Sequence, residues 1–209
     1  MMGAMVATAL LLASQNVGKL GEMRLLVEGL PYRVVGPREI GILDSPEETG
    51  TSFLENATLK ALHYARRSGL LTVADDSGLS VEALEGGPGL FSSRFGGEQA
   101  SDLERNFLLL EKLKGVPRER RGARFTSAVA VAMGERILFE AQDSVEGLIA
   151  EEMRGTNGFG YDPLFFYPPF GRTFGEVPRA EKDHVSHRGK SFARLREFLS
   201  RLDLASLRP

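Results

Sequence analysis

Three stretches of the chain carry residue types whose spacing suits chemistry on phosphates. The first is Ser14-Gln15-Asn16-Val17-Gly18-Lys19, which separates an apolar run over residues 6–13 from a helical pattern over residues 19–30. A loop leading from a strand into a helix presents backbone N–H groups and the positive end of the helix dipole, an arrangement that favours a phosphate. Lys19 adds a full charge there. The match to a P-loop is partial, because Ala13 stands at the first glycine and Leu20 at the hydroxyl position that would hold magnesium. The same residues also read as an N-capped helix with a surface lysine. The second stretch, Asp75-Asp76-Ser77-Gly78, ends an apolar run over residues 71–74, where open α/β sheets bind ligands. Adjacent side chains on an extended chain point opposite ways, so one carboxylate could hold a divalent metal or activate water while the other anchors the loop; an acidic turn is the plainer alternative. Upstream, Glu47 and Glu48 supply further carboxylates, and a magnesium site takes one or two of these together with phosphate oxygens. They read equally as solvated charges.

The third stretch lies toward the C-terminus. Gly155, Gly158 and Gly160 surround Phe159; the glycines permit close backbone approach, and the ring offers a flat face for a base. A structural turn with core aromatics is the other reading. Lys182, His187 and Arg188 form a cationic run in which His187 and Arg188 can donate to carbonyl oxygens, or simply lead a surface helix. The three histidines have no metal-binding spacing. Arg118, Arg120, Arg121 and Arg124 are interrupted by Glu119 and have no interleaved aromatic, which favours a solvated loop over a nucleic-acid site.

The elements that must position these groups alternate between β and α patterns. Strands are expected over residues 6–13, 32–35, 71–74, 125–133, 136–145 and 164–167, with Gly134-Glu135 as a hairpin turn. Helices are expected over residues 19–30, from the Ser52/Glu55 capping box to residue 68, from the Ser101/Glu104 capping box onward, and over residues 191–202. Together these predict a mixed α/β sheet. The chain has 209 residues, 42% of them apolar, with 26 Lys and Arg against 28 Asp and Glu, a formal net charge of −2. That size supports a sizeable core and excludes general disorder. The near-neutral balance argues against broad electrostatic binding to nucleic acid or membrane, and no apolar run reaches the roughly 20 residues that span a bilayer. Without cysteine there is no disulfide, thiolate metal site or thiol nucleophile, a usage that suits a reducing cytoplasm.

Taken jointly, Ser14-x-Asn16-x-Gly18-Lys19, Glu47-Glu48-Thr49-Gly50, Phe53-x-Glu55-Asn56-Ala57, Ala74-Asp75-Asp76-Ser77-Gly78-Leu79, Gly87-x-Gly89, Ser93-Arg94-Phe95, Gly158-Phe159-Gly160-Tyr161-Asp162-Pro163 and Ser186-His187-Arg188 resemble the inosine/xanthosine triphosphate pyrophosphatase family, in order over residues 6–202. The resemblance implies an α/β fold in which a long, curved mixed β-sheet with flanking helices forms two lobes around a central cleft. Residues 1–209 would form one domain, with residues 1–4 an extension. It further implies a cytoplasmic homodimer that requires Mg2+ and hydrolyses non-standard purine nucleoside triphosphates (ITP, dITP, XTP) to the monophosphate and pyrophosphate. By the same resemblance, Ser14, Gln15, Asn16, Val17, Gly18 and Lys19 hold the phosphates, Asp76 is general base and metal ligand, and Glu47 joins the metal site, with Glu48 its alternative. Ser77 touches substrate, and Phe159, Gly160, Tyr161, Asp162, Lys182, His187 and Arg188 form the nucleoside end. A purine-nucleotide sensor without activity and a pyrophosphatase for other modified nucleotides are the competing readings.

Overall fold

The computed structural model describes residues 8–203; the proposed extension at residues 1–4 lies outside them. In chain order the elements are β1 (Thr8–Leu12), α1 (Val17–Leu26), β2 (Tyr32–Val35), α2 (Phe53–Ser68), β3 (Leu71–Val81), α3 (Asp102–Lys112), β4 (Gly122–Met133), β5 (Arg136–Ile149), β6 (Phe165–Tyr167), β7 (Arg172–Thr173), α4 (Arg179–Val185) and α5 (His187–Arg201). The strands form one seven-stranded sheet in the order β2-β1-β3-β4-β5-β6-β7. It is mixed: β1 runs parallel to β2 and β3, with Leu10 opposite Val34 and Leu71, whereas β6 is antiparallel to β5 and β7.

The chain divides into two units. One holds the chain up to Asp76, Ala128–Gln142 and the chain from Ser191; the other holds Ser77–Ser127 and Asp143–Lys190. The boundaries fall inside β3, β4, β5 and α5. In the first unit, Leu10, Leu12, Val73 and Val131 pack with Met23 of α1 and Phe192, Leu195 and Leu199 of α5, while Leu11, Ala74 and Ala130 pack with Ala57, Ala61, Tyr64 and Ala65 of α2. In the second, Leu79, Val81, Phe125, Val145 and Ile149 enclose a core with Leu109 and Leu113 of α3, Phe165 and Phe174. Each fully buried Leu or Phe contributes about 1.5–3 kcal/mol relative to exposure.

Several elements differ from the sequence expectation for local reasons. α1 starts two residues early, because Asn16 Oδ1 accepts from Lys19 N as an N-cap. It also stops four residues early, and Gly29 follows in the left-handed region at φ 81°. β3 does not end at Asp75 but runs on to Val81 with both aspartates buried, because each carboxylate meets a cation within the fold. The polar stretch after residue 167 contains β7 and α4, neither of which has a strong periodicity. α5 begins at His187 and not at residue 191, since Ser186 Oγ accepts from Gly189 N, three residues on, at 3.0 Å. Of the two capping boxes, Ser101/Glu104 closes reciprocally, whereas Glu55 reaches past Ser52 to Thr51 N.

Candidate active site

The first unit gathers a charged cluster around β3. Because successive side chains alternate across a strand, Asp75 and Asp76 face different partners. The Asp75 carboxylate lies 3.3 Å from Lys19 Nζ and is fully buried. Asp76 Oδ1 accepts from Lys60 Nζ at 2.7 Å, and Glu48 Oε1 accepts from the same nitrogen at 3.1 Å. Asp76 Oδ2 is held more loosely, 3.4 Å from Asn56 Nδ2, while Asn56 Oδ1 accepts from Gly50 N at 2.8 Å. Lys60 and Asn56 lie one turn apart on α2, so one helix face presents both donors to Asp76.

Burial works against the Lys60 ammonium. The Asp76 and Glu48 carboxylates, the hydrogen bond to Asp76 and the charge of Asp75 outweigh it, and the Lys60 pKa is raised above the ordinary lysine value. The cation is therefore permanent at physiological pH. Nothing in its own residue type marked Lys60 as functional; its signal was a lysine set among Ala57, Ala61 and Tyr64 on the face of α2 that packs inward.

The loop before α1 is braced rather than loose. Gln15 Nε2 donates to the carbonyls of Leu43 and Asp44 at 2.8 and 3.0 Å, tying the loop to the segment that leads into Glu47 and Glu48, and Asn16 N donates to Ser14 Oγ. Helix geometry leaves the amides of Val17 and Gly18, the first two helical residues, without intrahelical acceptors. Val17 itself is 86% exposed.

The metal expectation can be tested against these donors. Among the described residues, no group of three or more acidic, histidine or cysteine side chains gathers to hold an ion. Two carboxylate oxygens do converge on one atom, Lys60 Nζ. Those two oxygens are already neutralised by the ammonium, so a hard divalent cation, which would fill its remaining positions with phosphate and water oxygens, would have to meet the carboxylates on the side away from Lys60. The carboxylate that joins Asp76 is Glu48; Glu47, the residue expected there, is exposed.

The second unit holds the other cluster. Phe159 has Lys182 Nζ 5.6 Å and the Arg188 guanidinium 5.5 Å from its ring centroid. Asp162 Oδ2 accepts from Lys182 Nζ at 2.6 Å and from Phe159 N at 2.9 Å, with Asp162 and Lys182 both buried. A side chain at Gly158, which is left-handed at φ 75°, would collide with that carboxylate. Arg188 donates to Ser77 Oγ at 2.7 Å, and the His187 ring stacks on Phe125 at 4.7 Å with the planes 11° apart. His187 and Arg188 are 4% and 2% exposed, so the first turn of α5 carries two buried polar groups and not a surface run. Tyr161 OH donates to Ser92 O at 2.8 Å, and burial pushes its phenol pKa well up.

Within the second unit, Ser77, Phe159, Gly160, Tyr161, Asp162, Lys182, His187 and Arg188 are thus linked by direct contacts or short loop connections. Within the first, Lys19 meets Asp75, while Asp76 and Glu48 both meet Lys60. Sequence reasoning missed Lys60 and the ring of Phe125 beneath His187, and gave no role to Asn56, which it held only as part of a motif. Of the arginine cluster only Arg121 is buried; Arg118, Arg120 and Arg124 are exposed. The Arg118 guanidinium lies 5.2 Å from the Phe166 ring, Arg121 donates to the carbonyls of Leu113, Val116 and Ala150, and Arg124 pairs with Glu146.

Comparison with known proteins gives the family. The Ham1 family model matches residues 10–198. A dITP/XTP pyrophosphatase of Desulforamulus reducens is 44% identical over 193 residues, covering 92% of this chain and 96% of the relative. One from Xanthomonas oryzae pv. oryzae is 45% identical, covering 93% and 98%. Among solved structures, a HAM1 protein from Coxiella burnetii aligns with a TM-score of 0.83 at 41% identity, covering 93% of this chain and all of that one. A nucleoside-triphosphatase/dITP/XTP pyrophosphatase from Mycobacterium abscessus aligns at 0.69, also at 41% identity, covering 90% and 98%. By family match and by identity over nearly its whole length, this chain belongs to the Ham1 family.

Proposed function

We propose that the chain hydrolyses the triphosphates of deaminated purine nucleosides, ITP, dITP and XTP, to the nucleoside monophosphate and pyrophosphate. The observation that carries this reading is the buried Lys60, which draws the carboxylates of Asp76 and Glu48 together on one atom. The relatives named dITP/XTP pyrophosphatase support the substrate. Glu48 and Asp76 would hold Mg2+, which when bound supplies charge neutralisation to the phosphate oxygens. Lys60 fixes the Asp76 carboxylate through Oδ1, and that carboxylate orients the attacking water and accepts its proton. The water's oxygen bonds to the α-phosphorus, the α–β phosphoanhydride bond breaks, and pyrophosphate leaves. The amides of Val17 and Gly18, with Ser14, Gln15, Asn16 and Lys19, bind the β- and γ-phosphates.

At the nucleoside end, Phe159 stacks on the base and Gly160, Tyr161 and Asp162 hold its loop. Lys182 and Ser77 fix Asp162 and Arg188, while His187 and Arg188 donate to the 6-oxo oxygen. Adenine presents an amino donor at that position, so buried donors would face a donor and lose their partners, a mismatch that discriminates strongly. The whole chain works as one domain, as a homodimer in the cytoplasm, without nucleic-acid or membrane partners. Among the described residues no helix is long and apolar enough to cross a membrane.

Magnesium-dependent pyrophosphate release from ITP and from ATP tests the reading. Release from ITP should be at least about 100-fold more efficient, and equal rates would overturn the substrate assignment. Asp76→Asn should lower kcat at least about 100-fold with the fold retained.

A further inference from the structure

We propose that Asp102 and Asn106 of α3 are positioning residues for the base-stacking loop, gripping the Gly160 peptide from both sides so that the Phe159 ring keeps one orientation. This rests on the reading of Phe159 as the stacking face. Gly160 N donates to Asp102 Oδ2 at 2.7 Å, and Gly160 O accepts from Asn106 Nδ2 at 2.8 Å. The two side chains are four residues apart on α3 and so lie on one helix face. The start of that helix is fixed by the reciprocal Ser101/Glu104 capping box, and Arg105 holds Asp102 Oδ1 at 2.9 Å, leaving Oδ2 for the loop.

The loop needs this grip. Its other polar contacts are closed elsewhere: Phe159 N on Asp162 Oδ2, Asp162 N on Phe159 O, and Tyr161 OH on Ser92 O. Gly160 sits between Phe159 and Tyr161 in the left-handed region at φ 60°, and a Cβ there would meet nothing within 4 Å. Gly160 has no side chain of its own to pack, and its peptide is held by the two hydrogen bonds from α3. Asn106 is 2% exposed and its Oδ1 accepts no hydrogen bond among the described residues. A buried amide is costly unless bonded, and the bond this one makes goes to Gly160.

The test compares Asn106→Ala, Asp102→Ala and Phe159→Ala in KM and kcat for ITP. Inhibition by inosine monophosphate and by inorganic tripolyphosphate, which has no base, is measured alongside. Loss of one buried hydrogen bond predicts that Asn106→Ala raises KM for ITP and weakens inosine monophosphate inhibition by about tenfold each. kcat should stay within about threefold and tripolyphosphate inhibition should be unchanged. Asp102 is half exposed, so Asp102→Ala folds and carries the test if Asn106→Ala does not; a KM rise of about threefold is expected for it. In either variant the Gly160 amide should exchange hydrogen faster. If Phe159→Ala raises KM while neither α3 variant does, the grip is overturned and the stacking reading stands. If Phe159→Ala leaves KM and inosine monophosphate inhibition unchanged, the stacking reading falls and the grip falls with it. Equal loss of tripolyphosphate and ITP affinity in the α3 variants would indicate general destabilisation and would also overturn the proposal.

Discussion

Replacing Lys60 by methionine keeps most of the apolar stem and removes the charge that Asp76 and Glu48 share. In the folded protein the Lys60 and Asp76 side chains are 11% and 8% exposed, with their charged atoms 2.7 Å apart. After the substitution Asp76 retains Asn56 Nδ2 at 3.4 Å, a weak donor, and the nearby cation Lys19 is already paired with Asp75. Removing one member of a buried ion pair costs about 3–5 kcal/mol, because the remaining charge is left uncompensated. Glu48 is a quarter exposed and water relieves part of its share, so the lower end, about 3 kcal/mol, is expected. For a chain of this length each kcal/mol moves Tm by about 2–4 °C, and the variant should melt about 6–12 °C below the parent. A divalent cation would supply the missing charge, so excess Mg2+ should raise Tm more in Lys60→Met than in the parent. Thermal unfolding followed by circular dichroism, in EDTA and in excess magnesium, measures both. A loss in EDTA below about 2 °C, on the same scale, or an equal gain from magnesium in the two proteins, would refute the reasoning.

Glu48→Gln should raise the magnesium concentration needed for half-maximal turnover by about tenfold or more, whereas Glu47→Gln should leave it unchanged. A magnesium titration of both variants decides between the two carboxylates. Arg188→Gln removes a buried cationic donor and its bond to Ser77; the ratio of kcat/KM for ITP to that for ATP should fall about tenfold or more, and an unchanged ratio would take Arg188 out of base selection. Tyr161 and Lys60 both hold their protons in the folded state above their unfolded pKa values. For Tyr161 burial disfavours the phenolate, and for Lys60 the carboxylates outweigh burial. Their contributions to stability are therefore complete below about pH 10 and are lost as pH rises above it. Tyr161→Phe, which cannot ionise, should lose Tm less steeply than the parent between about pH 10 and 12; identical slopes would contradict the assignment.

The sequence was most legible where a local rule acts alone. The Ser52 and Ser101 caps, the Gly134-Glu135 turn and the apolar strands over residues 32–35 and 125–133 all follow from side-chain chemistry within a few residues. It was least legible where a distant partner decides. Asp75-Asp76-Ser77-Gly78 has the composition of a turn, yet it forms strand because Lys19 and Lys60 reach its carboxylates from α1 and α2. α5 starts four residues before the expected residue 191, because Phe125 beneath His187 and Ser77 beside Arg188 let two residues with the character of surface charges be buried in a helical turn. Glu47 and Glu48 are indistinguishable by type, and only the direction of Lys60 separates them. α3 offered no sign of its hold on Gly160, since Asp102 and Asn106 are ordinary helix-terminus and interior residues until the loop from residue 158 is brought to them.

Pyrophosphate release with magnesium, measured for ITP, dITP and XTP beside ATP under one set of conditions, addresses the proposed activity most directly. The expected result is pyrophosphate with the matching monophosphate from the three deaminated substrates, at least about 100-fold more efficiently than from ATP, and abolished in Asp76→Asn. Equal hydrolysis of ATP, release of orthophosphate instead of pyrophosphate, or full activity in Asp76→Asn would contradict it.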